Sequence, residues 1–168
     1  LIGLRLMSVA HCAEHAHSDA LAEVLLEQRF PADPCQLRDL RAQLRTCLDA
    51  LAIEQSVRER LVLAVDEACC NIVRHAYGSG RTGPIDIRLT HANGLLSFEL
   101  TDAAPCVDPD RIKPKPLGEC RSGGFGVALI EAVMDDWRIE PQASGCGNRL
   151  LMRKRVTTIN IRKVSPPA

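Results

Sequence analysis

Glu67, Asn71 and His75 stand at four-residue steps in the segment Glu67-Ala-Cys-Cys-Asn71-Ile-Val-Arg-His75-Ala-Tyr77. Four residues of α-helix turn the chain by about 400°, so the three side chains drift only about 40° per step and share one face. They are a carboxylate, a carboxamide and a titratable ring on a helix that is otherwise largely apolar. Alone, the stripe is also what a solvated helix face with a capping histidine looks like. A second group lies downstream, in Ser122-Gly-Gly124-Phe125-Gly126-Val-Ala-Leu-Ile130. Glycines at the mouth of a helix let an anion approach free backbone N–H groups at the positive end of the helix dipole. Plain turn chemistry gives the same composition. The lysine and hydroxyl residue of a Walker A loop do not follow the glycines, and the signatures of eukaryotic-type protein kinases are missing.

The elements that must hold these groups can be read from periodicity. Asp33-Pro34 opens a helix, with Asp33 as N-cap and Pro34 in the first turn. Leu37, Leu40, Leu44, Cys47/Leu48 and Leu51 continue it at steps of three and four. A second helix is predicted from about Ser56 to Ala76, with Val57, Leu61, Ala64/Val65, Ala68 and Ile72 as its apolar stripe, and Gly78, Ser79, Gly80 and Gly83-Pro84 end it. Ile85, Ile87 and Leu89 then alternate with polar residues, Asn93-Gly94 marks a hairpin, and Leu96, Phe98 and Leu100 alternate in turn. The same parity carries Asp102 to the core side at the end of its strand, where an acid needs a partner or a ligand. The proline-rich stretch 103–121 is too long for a simple connection. A third helix is predicted from near Gly124 to Met134. Trp137 to Glu140 and Arg149 to Val156 read as strands about a Gly145-Cys-Gly147-Asn148 turn. This order predicts an α/β (α+β) two-layer sandwich, with a mixed, mostly antiparallel sheet and helices on one face.

Composition narrows the function classes. The chain has 168 residues, 46% of them hydrophobic, which suits a single domain with a real core. Its 21 basic and 21 acidic residues cancel, unlike the basic field of a nucleic-acid binder. No apolar run reaches the roughly 20 residues that span a bilayer. The spacing of the eight cysteines, with Cys69 and Cys70 adjacent in a helix and no C-x-x-C, argues against a disulfide framework. Reduced thiols and a cytoplasmic protein are expected. Residues 1–28 form a leader, flexible or partly helical over Asp19 to Gln28. His11, Cys12, His15 and His17 are ligand types within it, without a second cluster to close a metal shell. A tail follows from residue 157, leaving 29–156 as the domain.

Together the E-x-x-x-N helix, the aspartate at a strand end and the G-G-F-G helix start resemble the Bergerat ATP-binding fold. Leu63-Ala-Val-Asp-Glu67-Ala-Cys-Cys-Asn71-Ile-Val-Arg-His75-Ala-Tyr77, and Gly123-Gly-Phe-Gly-Val-Ala-Leu-Ile130 with Met134-Asp135, look most like the anti-sigma-factor serine/threonine kinases. Gly147-Asn148-Arg-Leu-Leu-Met-Arg-Lys154 resembles that family's closing strand. The resemblance implies ATP and Mg²⁺. Asn71 would reach the metal, and Glu67 would orient or deprotonate a serine hydroxyl. Asp102 would accept from the adenine amino group. Gly124, Phe125 and Gly126 would hold phosphate at the helix start, with residues 109–122 as a lid and Asn148 near the base. His75 and Tyr77 would be structural. One departure stands out. The family has D-x-G where this chain has Asp102-Ala103-Ala104, and a left-handed Ala104 would cost roughly 1 kcal/mol or more. The implied partners are an antagonist protein of the STAS type, a sigma factor and a second copy of the chain, without direct nucleic-acid or membrane contact. A non-catalytic nucleotide-binding module that sequesters a partner is the alternative.

Overall fold

The computed structural model describes residues 22–77, 83–106, 125–142 and 145–157. The expected leader ligands His11, Cys12, His15 and His17, the glycines at 78 and 80, the lid at 109–122, Gly124 and the tail beyond 157 lie outside these residues.

Five strands form an open sheet in the order β1-β2-β3-β5-β4. They are β1 (Glu23–Pro31), β2 (Pro84–Ala92), β3 (Leu95–Asp102), β4 (Asp136–Pro141) and β5 (Asn148–Arg155). Every ladder among them is antiparallel, so the mixed sheet expected from the sequence has no parallel pair among the described residues. Among the described residues three α-helices accompany the sheet: α1 (Leu37–Asp49), α2 (Gln55–Asn71) and α3 (Phe125–Val133). The two-layer sandwich is the architecture observed.

The period-two pattern decides which face the helices cover. Ile85, Ile87 and Leu89 on β2, and Leu96, Phe98 and Leu100 on β3, are buried against Leu37, Leu40, Leu44 and Leu48 of α1 and Leu61, Val65, Ala68 and Ile72 at the end of α2. The opposite face alternates charges. Arg149 of β5 bonds Glu99 at 2.7 Å and Glu140 at 2.9 Å, and the Glu99 hydrogen bond helps hold its guanidinium above its ordinary pKa. The β2–β3 turn has Asn93 and Gly94 both at positive φ (50° and 74°), as the hairpin signal predicts. Asp33 accepts from Cys35 N at 2.8 Å, the expected cap, although the first turn is a 3₁₀ turn over Pro34–Gln36.

The helix expected over Asp19 to Gln28 is corrected: Glu23 to Gln28 belong to β1, paired with β2 from Glu23↔His91 to Pro31↔Pro84. The domain therefore reaches upstream of residue 29. The reason the strand is hard to see is its bulge. Leu25 is extra between Val24 and Leu26, which breaks the alternation that marks a strand. The second correction concerns the end of α2. The α-helix stops at Asn71, and Ile72–Ala76 form a π-helical turn. Insertions of this kind are frequent at functional sites.

Candidate functional site

The site begins with the rotation of α2. Asp66 and Glu67 are adjacent acids with different fates. Asp66 pairs with Arg41 of α1 at 2.8 Å, its side chain only 13% exposed. That bond fixes α2 against α1 and turns Glu67 toward α3. The side chains of Glu67 and Asn71 have no hydrogen bond or ion pair with any other described residue. They meet instead at Gly126, in the first turn of α3. A Cβ built on Gly126 would stand 2.8 Å from Asn71 Nδ2 and 3.1 Å from Glu67 Oε2. Such contacts are too tight for a side chain while both groups keep their places, so glycine is what lets the α3 N-terminus approach them there. Three of the residues singled out in the sequence are thus brought together. His75, the third member of the stripe, lies in the π-turn and is exposed.

A second cluster surrounds Asp102. Its parity is inward as expected, and it is 5% exposed. Asp102 and Asn148 are directly paired in the β3–β5 ladder. Asp102 Oδ1 accepts from Asn148 Nδ2 and from Ala104 N, both at 2.9 Å. The other carboxylate oxygen accepts nothing from the described residues. Asn148 Nδ2 also donates to Pro105 O at 3.2 Å, so both protons of its amide nitrogen go to the Asp102 loop. Asn148 itself is 2% exposed.

Ala104 is 2% exposed and has no positive φ; the only non-glycine residues described with one are Ala52 and Asn93. The left-handed cost expected at this departure from D-x-G does not arise. The Ala104 methyl packs in the core, and its N–H closes a short turn onto its own Asp102.

Three residues of the cluster were not singled out from the sequence for these roles. Tyr77 Oη donates to Pro84 O at 2.6 Å and accepts from Ala103 N at 2.9 Å, tying the end of α2 to the residue after Asp102. Burial is the main reason its phenol titrates above the ordinary range. Gln142 Nε2 donates to Asp102 O at 2.7 Å. Gly147, at φ +93°, presses on that same carbonyl, and a Cβ there would overlap it. The Gly-Cys-Gly-Asn turn was the visible signal for Gly147, whereas Gln142 has none.

The fit to a nucleotide can be tested on these groups. A buried carboxylate with one oxygen unpartnered suits an amino-group donor. A glycine at a helix N-terminus, against a carboxamide and a carboxylate, suits phosphate with a hard cation. The residues present fit both.

The family model for the histidine kinase-like ATPase domain matches residues 30–154. The serine-protein kinase RsbW of Oceanobacillus iheyensis is 31% identical over 125 residues, covering 70% of this chain and 79% of that protein. RsbW of Bacillus subtilis is 29% identical over 124 residues, covering 68% of this chain and 77% of that protein. Among solved structures, that of the RsbU and RsbW domains of a Mycobacterium tuberculosis protein superposes with a TM-score of 0.57 at 24% identity; it covers 78% of this chain, which spans 31% of that longer one. That likeness concerns the fold. No described helix is long and apolar enough to cross a membrane. By the extent of the family match and the kinship with RsbW, the chain belongs to the histidine kinase-like ATPase superfamily, in the branch of the anti-sigma-factor serine kinases.

Proposed function

We propose that this chain is a protein-serine kinase that uses ATP to phosphorylate an anti-sigma antagonist, and that it also withholds a sigma factor. The observation that carries the reading is the meeting of Glu67, Asn71 and Gly126 at the start of α3. Phosphoryl transfer asks a protein mostly for positioning and for neutralisation of charge. Asn71 supplies a carboxamide oxygen for Mg²⁺, which when bound offsets the phosphate charge. Glu67, without a basic partner among the described residues, is an acceptor for the proton of a serine hydroxyl. Asp102 supplies an acceptor for the adenine amino group, and Asn148, Gln142 and Tyr77 hold the strand end that carries it. Phe125 opens the same helix, while Gly124 and the lid expected at 109–122 lie outside the described residues.

In this proposal the unphosphorylated antagonist, a STAS-type protein, displaces sigma. Phosphorylation then adds about −1.5 to −2 charge at the interface and releases the antagonist. A homodimer and a cytoplasmic setting belong to the same reading. The alternative, a partner-binding module without catalysis, drew its support from Ala104, and the unstrained backbone there removes that support. Glu67 also has no use in a pure binder.

The test is transfer of radiolabelled phosphate from ATP to a candidate antagonist by the wild type, Glu67→Ala and Asn71→Ala. Loss of transfer in both variants, with ATP still bound by Glu67→Ala, is the expected result. Undiminished transfer in either removes its assigned role. ATP binding by the wild type without transfer to any antagonist would leave the binding module as the answer.

A further inference from the structure

At the rim of the Asp102 cluster, Cys106 packs against the turn that carries a second cysteine, Cys146. Cys106 lies just beyond Pro105, whose carbonyl Asn148 holds. Cys146 sits between the two glycines of the turn that enters β5. Cys106 Sγ is 3.8 Å from Gly145 O and 3.6 Å from Gly147 O, the carbonyls flanking Cys146. Planar peptide geometry puts a carbonyl oxygen about 2.8 Å from the next Cα, so the Cys106 sulfur is within about 6.6 Å of Cys146 Cα. A disulfide needs Cα atoms usually about 4.4–6.8 Å apart, and the Cys106 sulfur already lies against the turn that carries Cys146.

Exposure separates this pair from the thiols inside the fold. Cys106 and Cys146 are both exposed, whereas Cys69 is buried and Cys47 and Cys70 are partly buried. Burial also pushes the thiols of Cys69, Cys47 and Cys70 above their ordinary range, which favours the inert form.

We propose that Cys106 and Cys146 are a peroxide-sensitive dithiol that closes into a disulfide across the rim of the Asp102 cluster. Hydrogen peroxide oxidises one thiol to a sulfenic acid and leaves as water. The second sulfur attacks the first, the S–S bond forms, the S–O bond breaks, and a second water leaves with the thiol proton. Two thiols are oxidised and one peroxide is reduced to two waters. The bond ties the loop after β3 to the turn before β5, the segments that carry Asp102 and Asn148. It resists their separation and so slows nucleotide exchange. That consequence rests on the proposed ATP site; the disulfide itself does not.

The experiment treats the full chain with one equivalent of hydrogen peroxide, blocks the remaining thiols with N-ethylmaleimide and maps non-reduced peptides by mass spectrometry. The expected product is a peptide pair joined through Cys106 and Cys146, two hydrogens lighter, reversed by dithiothreitol and missing from Cys106→Ser and Cys146→Ser. Release of a fluorescent ATP analogue is then expected to slow several-fold in the oxidised wild type and not in Cys106→Ser. Alkylated or over-oxidised cysteines without the joined pair would overturn the proposal. A joined pair with unchanged release overturns its coupling to the site. Failure of the reduced chain to bind nucleotide counts against the ATP reading alone, since the peptide map still decides the dithiol.

Discussion

Asn148 and Asp102 face each other across the β3–β5 ladder and share a 2.9 Å hydrogen bond between the Asn148 amide and Asp102 Oδ1. Ala104 N reaches the same oxygen, which leaves the second oxygen without a donor among the described residues. The two oxygens therefore have separate tasks, and a substitution can address one without the other. Asp102→Asn keeps an acceptor for Asn148 and Ala104 but places an NH₂ where the second oxygen was. Stability is expected to stay within about 1 kcal/mol of wild type. Nucleotide affinity is expected to fall roughly 10–100-fold, since a lost acceptor and two opposed donors cost about 1–3 kcal/mol. Asp102→Ala removes both functions and is expected to lose roughly 1–3 kcal/mol of stability as well. Urea denaturation with calorimetric titration of Mg-ATP checks both; equal affinity in wild type and Asp102→Asn would remove adenine recognition from Asp102.

Gly126 is expected to separate fold from activity in the same way, at the other end of the site. A methyl group there meets the ends of two side chains, Asn71 Nδ2 and Glu67 Oε2, which can swing aside without moving the backbone. Gly126→Ala should therefore melt near the wild-type temperature. The displaced carboxamide and carboxylate are expected to lower phosphoryl transfer on the order of 10²-fold, the usual result of misplacing reacting groups by about 1 Å. A melting scan beside a transfer assay reads this directly, and transfer at the wild-type rate would show that the approach of α3 to α2 has no catalytic meaning.

Tyr77 makes a pH prediction. Its hydroxyl serves Pro84 O and Ala103 N, so Tyr77→Phe leaves both without that partner and is expected to cost about 1–3 kcal/mol. Its folded pKa is raised, chiefly by burial, above the value near 10 of an unfolded tyrosine. The unfolded state thus loses the proton first. The contribution is intact below about pH 10 and is lost as pH rises from there through the folded pKa. Wild type should lose stability on this alkaline limb, and Tyr77→Phe should show a flatter limb. Parallel limbs in urea midpoints measured from pH 8 to 11 (a range set by the reference pKa of about 10) would count against the assignment.

What could be read in advance depended on whether a residue's partner was near in sequence. The alternation from Leu96 to Leu100 was enough to turn Asp102 inward, and Asn93-Gly94 gave its hairpin, because both are local rules. Tyr77 reads as structural in the sequence, but its partner Ala103 lies 26 residues away, and no local pattern names it. Gln142 reaches Asp102 across 40 residues and was invisible for the same reason. β1 was misread because the bulge at Leu25 shifts its phase, and only pairing with β2 restores it. The expected strain at Ala104 came from a motif, whereas the backbone there is set by the Asp102 carboxylate accepting from Ala104 N.

Gly147 offers the sharpest test of how tightly the strand ends must pack. Its φ of +93° lies where a side chain is strained, and a Cβ would also run into the backbone carbonyl of Asp102. That carbonyl cannot retreat freely, because Gln142 Nε2 holds it at 2.7 Å and Asp102 itself is paired to Asn148 in the ladder. Unlike Gly126→Ala, where side-chain ends can yield, Gly147→Ala meets backbone. It is expected to lose roughly 2–4 kcal/mol, the sum of a left-handed penalty and a displaced turn, and nucleotide affinity should fall with it as Asp102 shifts. Gln142→Ala supplies the comparison, since it frees the carbonyl on one side. The double variant Gly147→Ala/Gln142→Ala should then be less destabilised than the two single losses added together. Additive losses in urea denaturation would mean that Gly147 and Gln142 do not act on the same carbonyl.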